Sequence, residues 1–344
     1  MVFALFKRKN RPEVIWHGER QERKGLPGIG NTPLVEIRYP DCATILAKAE
    51  FLNPTGSHKD RAYLGMIESM ESDGILRPGM TLVDYTSGNA GASLAFIGRE
   101  KGYSVIVTMP EDMTQERVDQ IEYYGAKLIL TPKERFIKGA KEEAERMVKG
   151  NPGFVLMNQS ENRHNVEAFM EIGQEVLAQA GKPDAFVGAI GTGASVSGIV
   201  RSLGDGVAII GVEAVESPSS FAARLGLPFQ NRKHNLIGTS PGKVAANTDL
   251  GSFSHIELAG DQEIEKGRKL LRELKLWLGH TSESCFYVAK KLAGIMGQGT
   301  ILTVFYDAGW KYYSELPGSD YVPLGRPETA KTDSWRSRPM IHGP

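Results

Sequence analysis

Short apolar runs alternate with amphipathic stretches along most of the chain. Runs rich in Val, Ile and Leu at 44–52, 81–85, 104–109, 127–131, 154–157, 185–190, 208–215 and 301–306 predict strands. Their near-continuous apolar character suits strands buried on both faces. Helical periodicity lies between them, at 61–73, 91–101, 114–124, 138–148, 165–180, 197–203 and 261–274. A βαβα series of this kind predicts an α/β fold of parallel sheets with helices on both faces. The strands between 47 and 152 form one set, expected to be a smaller mobile domain. Residues 1–46 with 153–315 form a larger one. From 316 to 344 the chain carries Gly, Pro, Ser and charge without periodicity, which reads as an extension or a disordered segment.

Composition narrows the class. At 344 residues, about two domains are expected. Forty-one basic residues balance 41 acidic ones, so nothing points to nucleic acid or an anionic membrane as a partner. The only cysteines, Cys42 and Cys285, form no CxxC pattern, and neither a disulfide framework nor a metal site is expected. No apolar run reaches the roughly 20 residues that span a bilayer. The first ten residues place their charges after a short apolar stretch, the reverse of a secretion signal. A cytoplasmic protein is expected.

Four motifs carry candidate chemistry. Lys59 sits in Asn53-Pro-Thr-Gly-Ser-His-Lys-Asp-Arg61, between a strand-like run and a helix-like one. A lysine on a turn at a helix start is a poor core residue but a good candidate to form a Schiff base with a carbonyl cofactor. The competing reading is a solvated lysine after a turn. Thr86-Ser-Gly-Asn-Ala-Gly91 likewise joins a strand to a helix, and its hydroxyls, amide and free N–H groups suit a carboxylate, although an ordinary N-capped turn has the same composition. Gly191-Thr-Gly-Ala-Ser-Val-Ser-Gly198 opens another helix, with small residues and hydroxyls suited to a phosphate. A dinucleotide fingerprint competes there, with Glu213 at the distance of a ribose-binding acid, but the position of its third glycine is Val196. Finally, the last strand ends in Asp307-Ala-Gly309, where a polar side chain could meet a ring nitrogen. An amine nucleophile, a phosphate cup, a carboxylate receptor and a ring-nitrogen partner together are what pyridoxal phosphate requires.

These motifs resemble those of the fold-type II pyridoxal-phosphate enzymes, and within them the cysteine synthase and cystathionine β-synthase group. Ile29-Gly-Asn-Thr-Pro-Leu-Val35 matches the opening motif of that family, and Glu216-Ser-Pro218 and His234-Asn-Leu-Ile-Gly238 fall where it has similar segments. The resemblance covers about residues 26–315 and implies a two-lobed fold of the tryptophan synthase β type. It implies that Lys59 holds pyridoxal 5′-phosphate and moves the substrate α-proton. Gly191, Thr192, Gly193, Ala194 and Ser195 would bind the phosphate, Asn89 would sit beside the 3′-oxygen, and Thr86, Ser87, Asn89 and Ala90 would receive the carboxylate of an amino-acid substrate. The implied reaction is β-replacement on serine or an O-activated serine through an aminoacrylate, with sulfide, a thiol or an amine as nucleophile. A β-eliminating lyase or dehydratase giving pyruvate is the alternative, and a non-catalytic scaffold relative a further one. A homodimer is also implied.

The chain departs from the family pattern in several places. Ala90 replaces a hydroxyl residue, and Leu156 and Met157 stand nearest to where a Gln-Phe pair is usual. His280 and Glu283 bring ionisable groups into a loop that is normally neutral. The serine expected at the ring nitrogen falls on Asp307 or, one step along, on Ala308.

Overall fold

The computed structural model describes residues 12–18, 26, 28–316 and 318–319. In chain order the strands are β1 (Glu13–His17), β2 (Leu34–Arg38), β3 (Thr44–Lys48), β4 (Thr81–Tyr85), β5 (Ser104–Pro110), β6 (Lys127–Thr131), β7 (Phe154–Leu156), β8 (Ala185–Ala189), β9 (Ala208–Ala214), β10 (His255–Ala259) and β11 (Thr300–Val304). The helices are α1 (Lys59–Ser72), α2 (Asn89–Glu100), α3 (Gln115–Tyr123), α4 (Phe136–Lys149), α5 (His164–Ala180), α6 (Ala194–Leu203), α7 (Ser219–Leu225), α8 (Asp261–Glu273) and α9 (His280–Met296). Short 3-10 turns occur at Glu50–Leu52 and Gly309–Glu315, among others. Among the described residues no helix is long and apolar enough to cross a membrane.

The chain divides into two compact units. One holds the described residues up to Asp73 together with Asn158–Ala308, and the other Gly74–Met157 with the described residues from Gly309 onward. The first carries a seven-stranded sheet in the order β1-β2-β3-β11-β8-β9-β10. It is parallel from β3 through β10 and extended by the antiparallel β2 and β1. Its middle strands are buried: Ile301, Leu302, Val304 and Phe305 are fully enclosed, and the Thr303 hydroxyl, which could not stay unpaired there, donates to the Val187 carbonyl at 3.0 Å. Helix α9 packs on β11 and β8, and α5 packs against α1 and α6. The second unit carries a parallel sheet ordered β6-β5-β4-β7. Val83, Tyr85 and Ile106 form its core with Ala140 and Ala144 of α4.

The unit boundary differs from the expected residue 47. Strand β3 pairs with β2 and β11, and α1 packs on α5, so residues 47–73 belong to the first unit. The run expected as a strand over 44–52 stops at Lys48, because the chain turns at Glu50 to bury a carboxylate against Arg61. The segments 1–11 and 320–344 lie outside the described residues.

Candidate active site

Lys59 opens α1, on a loop tied at almost every residue. Asp60 accepts from the Thr55 N–H (2.8 Å) and its hydroxyl (2.5 Å), folding the loop back onto the first helical turn. The Asn53 side chain accepts from the Gly30 N–H at 2.9 Å and donates to Glu50. Along its other edge the loop joins the end of β11. His58 N–H donates to the Tyr306 carbonyl (2.9 Å) and Ala308 N–H to the Gly56 carbonyl (3.0 Å). Lys59 and Asp307 are therefore held together in the same unit.

Two residues further along α1, Arg61 is fully enclosed and makes two double contacts. Nε and Nη2 donate to the two oxygens of Glu50, both at 2.8 Å, while Nη1 and Nη2 donate to Glu175 at 2.6 and 2.8 Å. Lys48, also enclosed, lies 2.6 Å from Glu175. Thr32 of the opening motif donates its hydroxyl to Glu50 (2.7 Å), and the Asn31 N–H donates to Glu175 (2.8 Å). Two buried cations thus meet two largely buried carboxylates and a third, part-exposed one, Glu171, 3.4 Å from Arg61 Nη1, and the opening motif serves as part of their hydrogen-bond shell. Burial works against the charge on Glu50 and Glu175, but the Arg61 guanidinium outweighs it and holds both carboxyls below the usual range.

The His58 ring lies between Phe169 (centroids 5.4 Å apart) and Tyr306 (5.0 Å). Burial, then the neighbouring Lys59 charge, pushes its pKa well below the usual value, so the imidazole is neutral. Lys59 Nζ lies 5.8 Å from the Phe169 ring centroid. The amine therefore has an uncharged histidine beside it, and the Arg61 charge behind it is already matched by carboxylates.

Strand β8 neighbours β11, and the loop leaving its carboxyl end is Gly191–Ser195. The two strand ends are linked: the Tyr306 hydroxyl accepts from the Ala189 N–H at 2.9 Å. Gly193 caps α6 with φ of 80°, a left-handed conformation that favours glycine. A Cβ there would lie 2.2 Å from Thr248 Oγ1, and one on Gly191 would lie 2.3 Å from the Gly238 carbonyl. The loop is packed so closely that only glycine fits. The intrahelical bonds of α6 start with Ser197 N–H to Gly193 O (2.9 Å), so the N–H groups at its opening are left for another acceptor. The Thr248 hydroxyl is buried beside this loop without a hydrogen-bond partner. Free N–H groups, small residues and an orphaned hydroxyl at a helix start fit a phosphate. Thr248 carries no motif of its own, and its place was not legible from the sequence.

The competing dinucleotide reading has no support at Glu213. Its carboxylate is enclosed and accepts from the N–H groups of Ser220 and Phe221 and from the Ser219 hydroxyl, all at 2.9–3.0 Å. Those bonds hold the start of α7.

Glu283 is 2% exposed and forms a double contact with Arg268 of α8, at 2.9 and 3.1 Å. Burial pushes its pKa up, Arg268 pulls it back, and the charge of nearby Asp307 adds to the rise. His280 Nδ1 lies 3.1 Å from the Asn235 carbonyl. Asp307 is 2% exposed, and its carbonyl accepts from the Gly279 N–H at 3.0 Å. Ala308 is also buried.

Thr86, Ser87, Asn89 and Ala90 form a single turn in the second unit, between β4 and α2. The Thr86 hydroxyl accepts from the Gly88 N–H at 2.9 Å, and Gly88 adopts a φ of 148°. Asn89 and Ala90 are the first residues of α2. At Gly91 a Cβ would come within 2.7–3.0 Å of Thr86, Ile121 and Val107.

Comparison with known proteins agrees with this assembly. Residues 26–307 match the family model described as pyridoxal-phosphate dependent enzyme. A cysteine synthase of Staphylococcus aureus is 37% identical over 294 residues, spanning 83% of this chain and 94% of that protein. The structure of a cysteine synthase from Entamoeba histolytica superposes with a TM-score of 0.79 at 30% identity, over 86% of this chain and 92% of that one. An O-ureido-L-serine synthase structure gives a TM-score of 0.76 at 28% identity, covering 83% and 90% of the two chains. With that match running from the opening motif to the end of β11, the chain belongs to the pyridoxal-phosphate dependent enzyme family.

Proposed function

We propose that the protein catalyses β-replacement on serine or an O-activated serine, exchanging the β-substituent for sulfide, a thiol or an amine. The observation that carries this reading is the joining of Lys59, the Gly191–Ser195 cup and Asp307 on adjacent strand ends of one sheet. Pyridoxal phosphate, when bound, supplies the electron sink that acidifies the α-proton and lets the β-substituent leave. Lys59 holds the cofactor through Nζ and afterwards carries the α-proton. The N–H groups and hydroxyls of Gly191, Thr192, Gly193, Ala194 and Ser195, with Thr248, hold the phosphate. Asp307 is our assignment for the ring nitrogen, which a carboxylate would keep protonated. Thr86, Ser87, Asn89 and Ala90 receive the substrate carboxylate, and Asn89 also serves the 3′-oxygen. We further expect a cytoplasmic homodimer, in keeping with the family resemblance and with two free cysteines.

The test is the visible absorption of the purified protein beside Lys59→Ala, with O-acetyl-L-serine added and products analysed with and without sulfide. A band that requires Lys59, changes with the donor and yields a new amino acid only when sulfide is present is the expected result. Pyruvate as the sole product under both conditions would move the assignment to a β-eliminating lyase.

A further inference from the structure

Arg117, in the first turn of α3, is 3% exposed. Its Nη1 donates to the Thr114 hydroxyl at 3.1 Å, and its guanidinium lies 4.8 Å from the centroid of the Tyr312 ring. Among the described residues, no carboxylate pairs with it. A buried cation without a counterion is costly, and proteins seldom keep one idle. The neighbouring contacts show that its position is enforced. Ser314, in the 3-10 turn that carries Tyr312, donates both its N–H and its hydroxyl to Glu116. Lys311 Nζ of the same turn donates to Gln120 at 2.7 Å. The turn is thus fastened along α3 and presses the Tyr312 ring onto the guanidinium.

On its other side Arg117 meets the Thr86–Ala90 turn. A Cβ on Gly88 would come within 2.1 Å of Arg117 Cδ and 2.5 Å of its Nε. The glycine is required there twice over, by its φ and by the arginine packed beneath it. The unpaired buried charge therefore lies directly under the turn whose N–H groups and hydroxyls are assigned to the substrate carboxylate.

We propose that Arg117 is a positioning residue for substrate binding. It holds the Gly88 turn in its receiving shape, and its charge, unmatched by any carboxylate of the described chain, is matched by the carboxylate of the incoming amino acid. This rests on the reading of Thr86–Ala90 as the carboxylate receptor. Selectivity for an acid over an amide then comes in large part from a residue that lies behind the turn.

The test compares L-serine with L-serinamide as ligands of the cofactor-loaded enzyme, each titrated against the visible cofactor band. Wild type should prefer L-serine. In Arg117→Met that preference should fall about tenfold, the order expected for one charge acting at short range in a partly screened site. Arg117→Lys, which keeps the charge, should stay within about threefold of wild type. If Arg117→Met does not accumulate as folded protein, Arg117→Gln takes its place under the same criterion. Equal weakening of both ligands would reduce Arg117 to a packing residue and overturn the proposal, as would an unchanged preference. Asn89→Ala separates the underlying reading. If it leaves L-serine affinity unchanged, the carboxylate receptor lies elsewhere. If it weakens L-serine while the Arg117 variants keep the preference, only the role of Arg117 falls.

Discussion

Glu50→Gln probes the charge cluster behind Lys59. Glu50 and Arg61 are both fully enclosed, and with Lys48 and Glu175 they sum to zero charge; Glu171, 35% exposed and 3.4 Å from Arg61, stays outside that sum because water screens it. Glutamine keeps the shape and an acceptor oxygen but leaves the cluster at +1. Removing one partner of a buried pair costs about 3–5 kcal/mol. Because Glu175 stays on the same guanidinium, the lower end applies, about 3 kcal/mol. For a unit of this size that corresponds to a thermal midpoint lower by about 6–12 °C. Calorimetry of wild type and variant near pH 7 reads it directly. The pH dependence gives a second check. Both carboxyls are held below their unfolded values, so their contribution is complete above the unfolded pKa of about 4.3 and is lost as pH falls through the lower folded values. The gap between wild type and variant should therefore close below about pH 4. The double variant Glu50→Gln/Arg61→Met, neutral again, should recover part of the loss. A midpoint shift under about 2 °C near pH 7, or a gap that does not narrow in acid, would refute the reasoning.

Two further outcomes are expected. Gly193→Ala forces a left-handed alanine, at about 1–2 kcal/mol, into Thr248, and should weaken pyridoxal phosphate binding at least about tenfold in a cofactor titration. Gly204→Ala, with a φ of 69° and no atom within 4 Å of the new Cβ, is the control that should leave cofactor affinity unchanged. Glu283→Gln should behave opposite to Glu50→Gln although both carboxylates meet an arginine. The Glu283 pKa is raised, so its contribution is present below the unfolded value and lost as pH rises through the folded one. At neutral pH the variant should unfold within about 1 kcal/mol of wild type, and a loss as large as that of Glu50→Gln would show that the Arg268 contact outweighs burial.

The βαβα alternation was legible because the central strands are buried on both faces and mostly apolar. All eight expected strands overlap observed ones. The strands that were missed have a different chemistry. β1 reads Glu-Val-Ile-Trp-His, β2 reads Leu-Val-Glu-Ile-Arg and the edge strand β10 reads His-Ile-Glu-Leu-Ala, and all three mix ionisable residues into their apolar pattern. Helix α9 escaped notice because it opens His-Thr-Ser-Glu-Ser-Cys, residues of modest helix propensity whose hydroxyls face inward. Thr281 donates to the Ile237 carbonyl and Ser282 accepts from the Tyr306 N–H. Such positions look like a loop until the partners are known.

The same distinction separates the parts of the candidate site. Lys59, Gly191–Ser195 and Thr86–Ala90 stand out because each is a strand–turn–helix junction with its chemistry written into consecutive residues. Arg61, Thr248 and Arg117 do not, because their meaning lies in distant partners: Arg61 meets Glu175 114 positions away, and Thr114, beside Arg117, meets Lys311 197 positions away. A buried arginine reads differently according to those partners. Arg61 has three carboxylates, so its charge is spent and its work is to fix α1. Arg117 has a hydroxyl and a ring, so its charge remains available to an anion. Charge balance around each buried cation thus separates an arginine that holds the fold from one poised for a ligand, and it assigns those roles where residue type and burial are the same.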